Sequence, residues 1–162
     1  MRTAQDIAAP APLLRPLPPP LPRSAVARRA VDGMGDDSFL WLLSAYRATG
    51  GLATGTEIAA RPDSGGFLPL ARLIAQRRVL SFVWRNDIWL PYFQFMPGGH
   101  TVHPEVQLLT DTLSGALDDA ALAAWFVEPN SWLDDATPLA LLPADFARVH
   151  EAARALQFAH CN

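Results

Sequence analysis

The chain has 162 residues, half of them apolar, and a formal net charge of −3 at pH 7. This apolar content supplies a core and excludes disorder of the whole chain. The apolar runs are far shorter than the roughly 20 residues of a membrane helix, and no apolar segment typical of a secretory signal precedes the prolines. A single cysteine, Cys161, excludes an internal disulfide and a cysteine zinc site, and it fits a cytoplasmic protein.

Charge is distributed unevenly along the chain, and all 13 basic residues are arginine. Residues 1–31 carry five arginines against one aspartate, and residues 66–98 carry four arginines against one aspartate. Residues 99–162 carry only two arginines against nine acidic residues. A basic middle and an acidic C-terminal third predict two surfaces with two different partners.

Proline dominates the N-terminal segment, with seven prolines in the thirteen residues from Pro10 to Pro22. Proline lacks the backbone donor of helices and sheets and favours polyproline II. Residues 1–32 are therefore predicted to be a disordered or extended tail.

Residues 36–98 have the pattern of short helices followed by a hairpin. Asp36, Asp37 and Ser38 offer N-caps for a first helix, and Thr54 and Glu57 have the spacing of a capping box at the start of a second. A third helix is predicted from residue 67 to about residue 77, with apolar residues on one face and basic or polar residues off that face.

Two aromatic and β-branched runs, residues 79–85 and 88–95, are separated by Asn86-Asp87. Both residues tolerate the positive φ angles of a two-residue hairpin turn. Pro91 marks the second strand as an edge or as the end of the pairing. Residues 36–98 are therefore predicted to form a helix-turn-helix lobe with a wing.

The remaining residues, 99–162, are predicted to be helical. Pro104 and Pro138 fit first-turn positions, Asp118 and Thr137 fit N-caps, and a last helix is expected to start at Pro143. The predicted fold is mainly α: an N-terminal winged-helix-like lobe with one β-hairpin, followed by a small C-terminal helical bundle.

No catalytic constellation is readable in the sequence. A phosphate loop, a glycine-rich dinucleotide fingerprint and a nucleophile elbow are all missing. His100 and His103 lack a third ligand at a diagnostic spacing. We expect no enzyme activity, no catalytic residue, no metal and no cofactor.

The basic segment predicts contact with DNA. Arginine and glutamine reach both phosphates and base edges, and the candidates are Arg72, Gln76, Arg77, Arg78 and Arg85. The competing interpretation is a solvated helix with a hairpin that only packs on the next lobe.

The C-terminal segment contains Trp125-Phe-Val-Glu-Pro-Asn130, then Leu133, Thr137-Pro-Leu-Ala-Leu-Leu142 and Val149-x-x-Ala-Ala153. This order and spacing resemble the toxin-binding domain of the Xre/MbcA/ParS-type antitoxins. Leu90-Pro-Tyr-Phe-Gln-Phe95 is similar to the run that often precedes that domain. Asp134-Asp135 stands where the family usually has a glycine turn, and the N-terminal lobe differs from the usual Xre helix-turn-helix.

The resemblance implies a cytoplasmic antitoxin that binds a RES-domain enzyme acting on NAD. The proposed partner surface is Asn130, Trp132, Asp134, Asp135 and the terminal segment from Arg154. The alternative for Trp132 is a core position against the last helix. Trp125, Leu133, Leu142, Phe146 and Val149 are predicted core residues.

Two functions remain open at this point. The first is an antitoxin-like protein of a bacterial type II toxin–antitoxin system, which neutralises its toxin through the acidic lobe and binds its own promoter through the basic lobe. The second is a stand-alone DNA-binding transcriptional regulator without a toxin. No membrane is expected as a partner, and a homodimer is left open.

Overall fold

A computed structural model describes residues 34–99 and 101–160 of the chain. The predicted tail, residues 1–32, lies outside these ranges. None of the helices in the described ranges has the length and hydrophobicity that crossing a membrane requires.

The N-terminal part alternates helices with the strands of one small sheet. Its elements are α1 (Asp36–Ala45), β1 (Leu52–Thr54), α2 (Gly55–Ala59), α3 (Phe67–Ala75), β2 (Phe82–Trp84) and β3 (Asp87–Pro91). The three strands are antiparallel in the order β1-β3-β2. This part therefore has three helices and a hairpin of β2 and β3, and β3 also pairs with β1, which lies between α1 and α2 in the chain. This is a winged-helix-like arrangement, as predicted.

The second hairpin strand, β3, lies in the centre of the sheet, so the prediction of an edge strand was wrong. Pro91 is the last residue of β3 and lies opposite Leu52. Its missing N–H therefore marks the end of the pairing, the other predicted alternative. β1 was not predicted, because its three residues have no pattern of their own and exist as a strand only through pairing with β3.

The hairpin turn lies one residue earlier than predicted. Trp84 pairs with Asp87, so the two loop residues are Arg85 and Asn86, with φ angles of 48° and 68°. Two positive φ angles in succession are those of the predicted turn type. Arg85 adopts this conformation with its guanidinium over the Trp84 ring, 4.5 Å from the ring centroid.

Two helix starts and one helix end also differ from the predictions. Gly35, not Asp36, is the N-cap of α1. Asp36 and Asp37 lie in its first turn, where the negative charge of a carboxylate interacts favourably with the helix dipole. α3 ends at Ala75, with Arg77 beyond it in a left-handed conformation. The last helix starts at Phe146 rather than at Pro143.

A buried glutamine fixes the chain after β3. Gln94 ends a 3-10 helix and is fully buried. Its Oε1 accepts from the backbone N–H of Leu80 at 2.7 Å, and its Nε2 donates to the carbonyl oxygens of Leu80 and Pro91, each at 2.9 Å. One side chain thus satisfies three backbone groups around the hairpin, which makes Gln94 a structural residue of the Leu90–Phe95 motif.

The C-terminal part consists of α4 (Pro104–Leu113), α5 (Asp119–Val127), α6 (Pro138–Leu141) and α7 (Phe146–His160). Its starts follow the predicted capping. The Asp118 carboxylate accepts from the N–H of Ala121 at 2.8 Å, and the Thr137 hydroxyl accepts from that of Ala140 at 3.2 Å. Pro104 and Pro138 occupy first-turn positions, where no N–H is needed.

Buried side chains of the two parts form one continuous core that runs from Phe39 of α1 to Ala153 of α7. Fully buried Tyr46 donates its hydroxyl hydrogen to the carbonyl oxygen of Ala123 in α5 at 2.6 Å. Burial raises the pKa of this phenol well above its ordinary value, so it remains a donor. α5 is therefore held against the winged-helix-like part.

Replacing Thr54 with alanine should lower the free energy of unfolding by about 1 kcal/mol, the usual cost of a lost N-cap. Thr54 and Glu57 bond to each other's backbone N–H groups at 2.7 and 3.2 Å, which confirms the capping box. The Glu57 carboxylate also accepts from the Thr54 hydroxyl at 2.9 Å, and its bonds from the Thr54 N–H and hydroxyl lower the pKa of Glu57 from 4.5. The stabilisation by this carboxylate is therefore present above pH 4.5 and is lost as pH falls through the lowered pKa. Urea unfolding at pH 7 and below pH 4 measures this, with exposed Thr56→Ala as the control; equal stability of both variants contradicts it.

Candidate functional site

The loop between α5 and α6 is closed by the polar groups of one residue. The Asn130 side-chain oxygen accepts from the N–H of Trp132 at 2.9 Å. The backbone carbonyl oxygen of Asn130 accepts from the backbone N–H groups of Leu133 and Asp135, and its backbone N–H donates to the carbonyl oxygen of Ala136 at 3.1 Å. These bonds give residues 130–136 one defined conformation and leave the Asn130 side chain with an internal role.

Asp134 and Asp135 both have left-handed backbone conformations, with φ angles of 55° and 62°. Left-handed positions favour glycine, and aspartate is among the residues that tolerate them. The acidic pair therefore adopts a conformation that usually favours glycine, and both carboxylates are exposed.

Arg148 of α7 holds this turn, although it was not among the predicted site residues. Its guanidinium forms an ion pair with Asp134 at 2.6 Å and lies 3.5 Å from the carbonyl oxygen of Trp132. The hydrogen bond with Asp134, and then its negative charge, raise the pKa of Arg148. The available signal was that Arg148 is one of only two arginines in an acidic segment.

Trp132 lies on the outer side of the loop with half of its surface exposed. This is not the core position of the alternative interpretation. Four of the five predicted core residues around it are buried, namely Trp125, Leu133, Leu142 and Val149. Phe146 is half-buried and stacks on the ring of His150.

Arg154 is exposed but lies apart from the loop. It follows Arg148 by six residues on α7, which corresponds to about 9 Å along the axis and a rotation of about 120°. The structure thus brings Asn130, Trp132, Asp134 and Asp135 into one surface and does not add Arg154 to it.

Three of the five candidate DNA contacts bond to side chains of other elements. Arg77 pairs with Asp119 of α5 at 3.1 Å, and Arg78 lies 3.5 Å from the side-chain oxygen of Gln107 in α4. Arg85 pairs with Asp36 of α1. Arg72 and Gln76 are exposed four residues apart, on one face of α3.

Much of the remaining surface of α3 is apolar. Phe67 and Leu68 are 59% and 71% exposed. The groove between α3 and the hairpin, about 350 Å³ in volume, is lined by Phe67, Ala71, Ala75 and Ile88 among others, with Asp87 and without a basic side chain. A surface of this composition fits a protein partner better than a phosphate backbone.

Within the described ranges, no group of three or more histidine, cysteine or acidic side chains could hold a metal ion. His100 lies outside these ranges, and His103 is the N-cap residue of α4.

No protein-family model, curated protein or solved structure matches the chain. The functional interpretation therefore depends on the geometry of the residues themselves and on the motif resemblance.

Proposed function

We propose that the chain is an antitoxin-like protein that binds and neutralises a RES-type, NAD-consuming enzyme through the loop surface of Asn130, Trp132, Asp134 and Asp135. The observation that carries this proposal is Trp132, a large aromatic side chain half exposed on a hydrogen-bonded loop. Aromatic anchors of this kind supply much of the binding energy at protein interfaces.

The rigidity of the loop supports a binding role. Because the Asn130 hydrogen bonds hold the loop backbone before binding, less conformational entropy remains to be lost in a complex. The backbone that carries Trp132 is therefore defined before the partner binds.

Charge supports the same partner class. Asp134 and Asp135 lie beside the anchor, in a C-terminal segment with nine acidic residues and two arginines. An enzyme that binds the phosphates of NAD needs a basic cleft, and an acidic rim would steer the chain toward it.

Co-expression tests the proposal directly. We expect the gene of a RES-type enzyme beside that of the chain. The chain should relieve the growth arrest that this enzyme causes, and the Trp132→Ala variant should not. Growth arrest that persists with full production of the unaltered chain would contradict the proposal.

DNA binding is a second candidate function, favoured by the winged-helix-like topology and by Arg72 and Gln76 on the outer face of α3. Arg77 and Arg85 form ion pairs within the chain, but exposed ion pairs contribute only about 0–1 kcal/mol. Both arginines can therefore leave their carboxylate partners and contact DNA phosphates instead.

The triple substitution Arg72→Ala, Arg77→Ala and Arg85→Ala should abolish retention of promoter DNA while partner binding is unchanged. The slope of log affinity against log salt should also fall by about 0.9 for each phosphate that the variant no longer neutralises. Gel-shift titrations at several salt concentrations measure both, with exposed Arg47→Ala as the matched control. Equal retention by the triple variant would limit these arginines to a structural role.

A further inference from the structure

A large open groove lies between α1, β2 and α5, away from the surfaces described above. Its volume is about 580 Å³, and its apolar wall includes Trp41 of α1, Val83 of β2 and Ala120 of α5. Four carboxylates also line it, those of Asp37, Asp118, Asp119 and Glu128, and of these Asp119 is paired with Arg77. An apolar groove with an acidic rim fits a ligand that carries both apolar and basic side chains.

One wall of the groove is an unpaired strand edge. β2 is an outer strand of the sheet, and Val83 is 64% exposed. Hydrogen-bonded and non-hydrogen-bonded pairs alternate from the closing pair Trp84–Asp87, so Val83 and Ile88 form a non-hydrogen-bonded pair. The backbone N–H and C=O of Val83 therefore point outward, where an extended segment can pair with them.

We propose that the groove is the docking site of the chain's own residues 23–33, bound as an extended segment with their arginines at the acidic rim. Met34, the first described residue, itself lines the groove. Residue 33 is bonded to it, so the preceding residues start at the groove.

The composition of residues 23–33 matches the groove. Arg23, Arg28 and Arg29, with Asp32 as the one acidic residue, give the stretch a positive charge opposite to that of the acidic rim, and Val26 and Val31 are apolar. No proline occurs in this stretch, unlike in residues 10–22, so every N–H is available for pairing with a strand edge. This assigns a bound position to ten of the residues that the sequence predicts to be disordered or extended, together with Gly33.

The covalent connection makes even weak contacts sufficient. A short tether raises the effective concentration of the segment at the groove to the millimolar range. From Met34, seven residues reach about 24 Å when extended, which is enough for position 27 to contact β2.

Disulfide trapping in the full chain tests the docking. In a Cys161→Ser background, Ala27→Cys is combined either with Val83→Cys in the groove or with Leu40→Cys as the control. Leu40 lies on α1, is 59% exposed and does not line the groove. In a glutathione redox buffer, the intramolecular disulfide should form at least about tenfold faster with position 83 than with position 40, as measured by mass spectrometry.

Equal rates at the two positions would overturn the proposal. Disulfides that join two chains would also overturn it, because they would identify a second copy as the occupant. The preference for position 83 should decrease at least threefold with Arg28→Ala plus Arg29→Ala or at 1 M salt. If neither the arginine substitutions nor 1 M salt changes the preference for position 83, the assignment of the arginines to the acidic rim is overturned. The experiment needs neither toxin nor DNA, so its outcome is independent of the proposed function.

Discussion

Replacing Trp132 with alanine should weaken binding of the RES-type partner by about 2 kcal/mol or more, roughly 30-fold in Kd, while the temperature of unfolding hardly changes. The reason is the position of the side chain. It is half exposed on a loop whose backbone is held by Asn130, so its removal leaves the core residues beside it in place. Titration calorimetry and thermal unfolding of the same preparation measure the two effects.

Trp41→Ala provides the matched control, since Trp41 is 41% exposed but lies on α1 in the groove. It should leave partner affinity unchanged. If Trp132→Ala instead costs the roughly 3–5 kcal/mol of stability typical of a buried aromatic, the anchor role is rejected. If the variant is stable and binds with full affinity, the loop is not the interface.

Replacing Gln94 with alanine should lower the free energy of unfolding by about 3 kcal/mol or more. The substitution removes a fully buried side chain and leaves two carbonyl oxygens and one N–H without their partner. For a domain of this size, the unfolding temperature should decrease by roughly 10 °C.

Gln107→Ala is the control for Gln94. Gln107 is half-buried on α4 and lies 3.5 Å from the Arg78 guanidinium, so its loss should be nearly neutral. A Gln94 variant that is as stable as this control would show that the three bonds do not hold the hairpin. The two chemical denaturation curves decide between these outcomes.

Helix starts could be predicted from sequence where the determining contacts are local. The capping box of Thr54 and Glu57, the cap at Asp118 and the proline after Thr137 each depend on residues at most three positions apart, and all three are present. The hairpin was predicted for the same reason, since its two strands are joined by a two-residue turn.

Elements that depend on distant contacts were misplaced or missed. β1 exists through its pairing with β3, about 37 residues away in sequence. The hairpin turn lies one residue from its predicted position, in a register in which Trp84 stacks on Phe39 of α1 with the ring centroids 3.7 Å apart. Packing between elements, rather than the preferences of the turn residues, sets this register.

The same difference between local and distant contacts applies to the candidate surfaces. The closed loop around Asn130 could be predicted from its own prolines and asparagine. The partners of Arg77, Arg85 and Asp134 could not, because each ion pair joins residues at least 14 positions apart. The predicted basic surface therefore includes arginines that form ion pairs with different helices in the fold, Arg77 with α5 and Arg85 with α1.

The proposed function requires that the chain neutralise a RES-type enzyme through the loop of Trp132. A direct test is to titrate the purified chain into a RES-type enzyme, taken from beside its gene where one is encoded there, while following both heat and NAD consumption. We expect a complex with a Kd of about 1 µM or tighter, near −8 kcal/mol, and a loss of NAD consumption in proportion to the complex formed. Undiminished NAD consumption with the chain at about 100-fold that concentration would contradict it.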